Sequence, residues 1–122
     1  MKLLTHNMLQ CHIKGVKNGY PFKIEAEKVE ERPADYDPDF LRHIFPRIQW
    51  DALREAASSM GVNNLPETVS AEQLEDEDFL KAFHHALLEV HLEEGSLICP
   101  ETGRRFPVSQ GIPNLLLQED EA

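Results

Sequence analysis

The stretch Leu97 to Leu117, LICPETGRRFPVSQGIPNLLL, constrains the fold more than any other part of the chain. Leu97-Ile98-Cys99 is an apolar run, and Pro100-Glu101-Thr102-Gly103 is a turn whose glycine suits a positive φ. Arg105-Phe106-Pro107-Val108 reads as a second short strand, with a proline that fits an edge position better than a central one. Ser109-Gln110-Gly111 turns the chain again, and Ile112-Pro113-Asn114-Leu115-Leu116-Leu117 closes it with an apolar tail. A cysteine at a hairpin tip, followed by proline, a turn glycine and a short strand, is half of a zinc-ribbon knuckle. Where a Cys-Pro-x-Cys pair would place its second thiolate, this chain has Thr102.

Strand periodicity recurs near the other terminus. Phe22, Ile24 and Ala26 alternate with Lys23, Glu25 and Glu27, the period of a half-buried strand. Before it, Lys2 to Gln10 reads as a two-turn helix with Leu4 and Met8 on one face and Thr5 and Leu9 beside it. Nine residues do not hold a helix in water, so this one must pack on something. Gly15 and Asn18-Gly19 mark turns. The charged, proline-containing segment Glu30 to Asp35 is a boundary, and from Asp37 the period becomes helical. Asp37 can cap, and Pro38 suits the first helical position. Phe40, Leu41, Ile44, Phe45 and Ile48 then form an apolar face, broken or kinked at Pro46. A second helix spans about Trp50 to Met60, stopped by Gly61. Ser70 to Gln73 has capping-box spacing, and Phe79, Leu80, Phe83, Ala86 and Leu87 define a third helix. Leu88, Val90 and Leu92 return to period two, and Glu94-Gly95 is expected to turn that strand into Leu97-Ile98-Cys99. The order implies an α+β protein. A small zinc-ribbon-like antiparallel β domain is assembled from residues 1–33 and 89–122, with a helical insertion of about three helices at 34–88.

Charge narrows the function classes. The 122 residues carry 22 acidic and 12 basic side chains, a net charge of −10. Isolated nucleic-acid binders use Lys and Arg to neutralise phosphate, so any contact with nucleic acid is expected to be indirect, through a partner. Two cysteines do not make a secreted disulfide framework. No secretory leader is expected at the N-terminus, and no apolar run approaches the roughly 18 residues that span a membrane. The expectation is a soluble cytoplasmic and nuclear protein with reduced thiols.

Catalytic motifs are missing. Glycine-rich phosphate loops, Gly-x-Ser-x-Gly and His-Glu-x-x-His do not occur. The adjacent His84 and His85 point about 100° apart on a helix, and no histidine has triad spacing. Glu72 to Asp78 lacks the alternation of a calcium loop and reads as a solvated helix start. The chain is too short for the doubly wound sheet that holds S-adenosylmethionine. What remains is surface. Leu115-Leu116-Leu117 cannot all face one core, because extended side chains alternate. With the Leu4 and Met8 face they make an apolar patch of the kind that marks a partner site.

Three blocks resemble the family of small methyltransferase-activator subunits: Met1-Lys2-Leu3-Leu4-Thr5-His6-Asn7-Met8-Leu9, Tyr36-Asp37-Pro38-Asp39-Phe40-Leu41 with Gln49-Trp50, and the Cys99 to Leu117 stretch. The resemblance implies a non-catalytic activator and stabiliser that forms heterodimers with class I methyltransferases acting on tRNA, ribosomal RNA and translation release factor. The partner would bind S-adenosylmethionine and supply catalysis. Docking is expected at Thr5, Met8, Phe106, Val108, Ile112, Pro113, Asn114 and Leu115, with edge pairing that extends the partner's sheet. Zinc-binding members of the family take two cysteines from each of two knuckles. By position Cys11 and Cys99 match one ligand of each, and the other two fall near Val16 and on Thr102. A structural zinc ion wants four N or S ligands, so a degenerate site without metal is expected, its cysteines adjacent and packed as small hydrophobes. The alternative is a stand-alone ribbon-type module using Cys11 and Cys99 for redox or metal binding.

Overall fold

A computed structural model of the chain describes residues 1–121. Four strands form one antiparallel sheet in the order β1-β2-β3-β4: β1 Lys23–Glu31, β2 Val90–Ile98, β3 Arg105–Ser109 and β4 Ile112–Pro113. Four α-helices accompany them: α1 Leu3–Asn7, α2 Pro38–Ile44, α3 Trp50–Ser59 and α4 Glu77–His84. The expected α+β class holds. No helix among the described residues is long and apolar enough to cross a membrane.

Local signals account for the helix boundaries. The Asp37 carboxylate accepts the Phe40 N–H at 3.1 Å with Pro38 in the first turn, and the Asp76 carboxylate accepts the Asp78 N–H at 3.0 Å. Gly61 ends the third helix at φ +87°, a region that glycine enters without a side-chain clash. The Ser70 signal precedes only a 3₁₀ turn, Gln73–Glu75, and the Ser70 N–H donates to Gln73 Oε1 at 2.8 Å. After α4 the chain widens into a π turn, His85–Glu89, before it enters the sheet. The strand therefore begins at Val90 rather than Leu88.

One expected turn is absent. Val90 to Ile98 is a single strand, and Glu94-Gly95 lies inside it. Opposite it, β1 bulges between Ala26 and Val29, and a Cβ at Gly95 would collide with the Glu25 carbonyl oxygen. Glycine here permits close approach of two strands rather than a reversal. Nor is the Pro107 strand an edge, since β3 lies between β2 and β4. The Pro107 carbonyl accepts the Asn114 N–H at 2.9 Å, so its missing N–H falls on the β4 side and costs β2 no bond.

Below the helices, Phe83 stands edge-on to Phe45 and Trp50 and stacks on Phe79. Trp50 fixes its own position by donating from Nε1 to the Pro66 carbonyl at 2.8 Å. On the sheet, Phe22 meets Phe106 edge-on at 5.6 Å between centroids. Both groups belong to one continuous core that also includes Leu3, Leu87, Leu92 and Leu97.

Candidate functional site

The site begins where the two ends of the sequence meet on β2. Met1 exchanges backbone hydrogen bonds with Leu92, N to O at 2.8 Å and O to N at 2.9 Å. Gln110 and Gly111, at φ +52° and +76°, make the tight turn from β3 to β4. The Gly111 N–H donates to the Glu93 carbonyl at 2.9 Å, and a Cβ at Gly111 would stand 3.1 Å from the Met1 nitrogen. The start of α1 and the β4 hairpin are thus neighbours.

Helix α1 is locked from within. Leu3, His6 and Asn7 are buried, His6 Nε2 donates to the Phe22 carbonyl at 2.8 Å, and the Asn7 amide bridges to Gln49 with two bonds of 3.0 Å. Tyr20 Oη donates to the Asn7 carbonyl at 2.8 Å. Thr5 and Met8 are left facing outward.

The opposite end of the surface is β4. Asn114 turns its N–H to β3, so by alternation the carbonyl of Pro113, which has no N–H, turns to the open side of β4. Ile112 is 69% exposed, Leu116 78% and Met8 52%. Asn114 is exposed as well, while Pro113 and Leu115 are half-buried. Leu116, absent from the expected set, is the most exposed large apolar side chain of the segment; alternation from Ile112 through Asn114 was the signal for it.

Two expected docking residues are placed elsewhere. Phe106 and Val108 are only 1% and 2% exposed and point into the core. On β3 the outward residues are Arg105, Pro107 and Ser109, as period two dictates. Phe106 and Val108 support the surface from below and do not contribute side chains to it.

The two free edges of the sheet differ. Strand β1 shows Lys23, Glu25, Glu27, Lys28 and Glu31 to solvent and carries the bulge, devices that discourage pairing with another chain. The edge at β4 is short, uncharged and apolar.

Behind β4 the two cysteine-bearing turns are joined. Cys11 and Cys99 are free thiols, both buried in the one hydrophobic core. The Glu101 carboxylate accepts the Lys17 and Asn18 N–H groups, each at 3.3 Å. Lys14 N–H donates to the Glu121 carbonyl at 2.6 Å, and Arg104 Nε to the Glu121 carboxylate at 2.9 Å, with its guanidinium 4.8 Å above the Phe106 ring. Burial pushes the Cys11 thiol up. Burial also opposes ionisation of Cys99, but hydrogen bonds from the Thr102 hydroxyl and backbone, from Cys11 and from the Glu101 backbone outweigh it and hold that thiol below its ordinary value. Val16 is half-buried and Thr102 exposed. Among the described residues no group of three or more His, Cys, Asp or Glu side chains could hold a metal ion. Two thiols do not fit the closed four-ligand shell of structural zinc.

The profile of the Trm112p-like protein family matches residues 2–111. The chain belongs to the Trm112p-like family. Among Trm112p-like relatives, the multifunctional methyltransferase subunit TRM112 homolog A of Arabidopsis thaliana is 60% identical, covering 99% of both chains. The TRM112-like subunit of Mus musculus is 43% identical over 99% of this chain and 98% of its own. In Saccharomyces cerevisiae the subunit of the same name is 33% identical over 96% of each. A chain of the solved E. cuniculi Mtq2–Trm112 complex, described as methylating the eRF1 translation termination factor, has the same fold. Its TM-score is 0.63 at 20% identity, covering 95% of both chains.

Proposed function

We propose that this chain is a non-catalytic subunit that activates and stabilises several S-adenosylmethionine-dependent methyltransferases modifying tRNA, ribosomal RNA and translation release factor. The observation that carries the reading is the uncharged β4 edge. Pro113 offers its carbonyl there, flanked by the exposed side chains of Ile112 and Leu116. Such an edge pairs with an incoming strand while its apolar side chains fill shallow pockets on the partner. The relatives named above, similar over nearly their whole length, are called multifunctional methyltransferase subunits. The partner supplies the S-adenosylmethionine pocket, the catalytic groups and the contacts to nucleic acid; this chain contributes no cofactor site and no zinc. One edge serves one enzyme at a time, so the partners form alternative heterodimers and compete for the subunit. Their substrates place the complexes in cytoplasm and nucleus.

Affinity purification of the tagged protein, with mass spectrometry of its companions, tests this. Methyltransferases are expected near one-to-one, and Met8→Arg or Ile112→Arg should remove them while the subunit keeps its circular dichroism. A folded wild-type monomer with no methyltransferase in any preparation would overturn the reading.

A further inference from the structure

We propose that Glu121 is a positioning residue for docking: closed onto Arg104, it clasps the far end of the β4 segment and presets which of its side chains face a partner. The proposal rests on docking at β4 as proposed above and names the residue that readies that edge. The segment needs a second anchor. Strand β4 ends at Pro113, and the bond from the Asn114 N–H to the Pro107 carbonyl is the last to the sheet. Among the described residues, the backbone of 115–118 bonds only within its own segment. Leu116 N–H donates to Asn114 Oδ1 at 3.1 Å, and Gln118 N–H to Glu121 Oε1 at 2.8 Å. A terminal run tied at one end only frays. Yet this one keeps a strict alternation, with Leu115 and Leu117 half-buried against the core and Asn114 and Leu116 exposed.

Glu121 supplies the missing anchor. Its carboxylate accepts Arg104 Nε at 2.9 Å and Arg104 Nη2 at 3.3 Å, the paired geometry in which a guanidinium holds a carboxylate best. Its carbonyl accepts the Lys14 N–H at 2.6 Å. Arg104 is itself fixed to the sheet. Its guanidinium lies 4.8 Å from the centre of the buried Phe106 ring, and its carbonyl accepts the Cys99 N–H at 2.9 Å across the hairpin that joins β2 to β3. The tail is therefore tied to the same frame that positions β3. The two side chains are 33% and 17% exposed, so salt screens this pair less than an open one. Of the three acidic residues in the terminal 3₁₀ turn, Glu119–Glu121, the first two are exposed and Glu121 alone is half-buried. The clasp is thus a particular contact and not an effect of tail charge. Held at both ends, the segment meets a partner already ordered, and association loses less chain entropy.

The test compares wild type, Glu121→Ala and Asp120→Ala in the full chain, first alone and then with the methyltransferase that copurifies with wild type. Alone, Glu121→Ala should keep the wild-type urea midpoint. Its Lys14 amide should exchange faster, although the carbonyl that accepts its bond survives the substitution. Backbone order parameters at 115–117 should fall below about 0.6 while those of β2 stay near about 0.85. With the methyltransferase, its dissociation constant should rise about tenfold, and that of Asp120→Ala, which removes the same charge, should not move. Unchanged order at 115–117, loosening that spreads to β2, or an equal loss in Asp120→Ala would overturn the proposal. Undiminished binding by Glu121→Ala, with wild type binding, would overturn the clasp and leave the docking reading standing. Absence of any methyltransferase with wild type would overturn the docking reading, and the proposal with it.

Discussion

His6 shows how a single buried group sets the response of the chain to acid. Its Nε2 donates to the Phe22 carbonyl, and its Nδ1 is buried without a partner. Burial holds this imidazole below its ordinary value, outweighing the Phe22 bond and the charge of Glu55. An unfolded histidine takes up its proton as pH falls through about 6.5, whereas folded His6 does not until lower pH. Its contribution to stability is thus fully present above about pH 6.5 and is lost as pH falls below it. His91 shifts in the same direction, through burial and the nearby N-terminal amine, Arg32 and Lys2. Urea midpoints should drop between about pH 7.5 and about pH 5.5, and His6→Gln, which keeps a donor but cannot titrate, should flatten the slope. An unchanged slope would assign the acid sensitivity to other groups. Ile112 belongs to the same scale with the opposite sign. Ile112→Arg removes no core contact, so its stability should stay within about 0.5 kcal/mol of wild type by urea denaturation, although the partner is lost.

At the scale of elements, α1 and α4 are held by different means. Helix α4 is held by packing: Phe83 is fully buried among Phe45, Trp50 and Phe79, and Phe83→Ala should cost about 3–5 kcal/mol, read by chemical denaturation. Helix α1 is held by polar bonds to distant backbone, so Asn7→Ala, which strands both Gln49 groups, should cost about 1–3 kcal/mol by the same measurement. That difference explains what the sequence revealed. The repeat Phe79, Leu80, Phe83, Leu87 is local, and α4 could be read from it. The partners of His6 and Asn7 lie 16 and 42 residues away, so no local pattern marked these polar residues as the inner face of α1. Glu94-Gly95 carried turn chemistry, yet the strand runs through, because the demand for glycine comes from the Glu25 carbonyl across the sheet. Phe106 and Val108 were legible as core by alternation along β3; the family resemblance drew them toward the surface. The Glu101 bridge to Lys17 and Asn18 joins residues more than eighty positions apart and had no sequence signal. Replacing Glu101 with Gln should lower hydrogen-exchange protection at exactly these two amides relative to the rest of the loop, and unchanged exchange would deny the bridge that role.

For the whole molecule, the −10 charge and the docking edge are separate features. Residues 112–117 carry no charge, so pairing at β4 rests on backbone bonds and apolar burial. Recovery of the heterodimer should therefore change little between about 0.1 M and about 1 M salt, a range over which exposed ion pairs are screened away. A steep loss with salt would move the interface to the charged faces. The meeting of Met1 with Leu92 and of Gly111 with Glu93 has a further consequence. The proposed docking surface is made by the first eight residues and by residues 112–116 together, and neither group makes it alone. On the proposed docking, truncation before Ile112 leaves α1 but removes β4, and recovery of the methyltransferase with such a chain should fail.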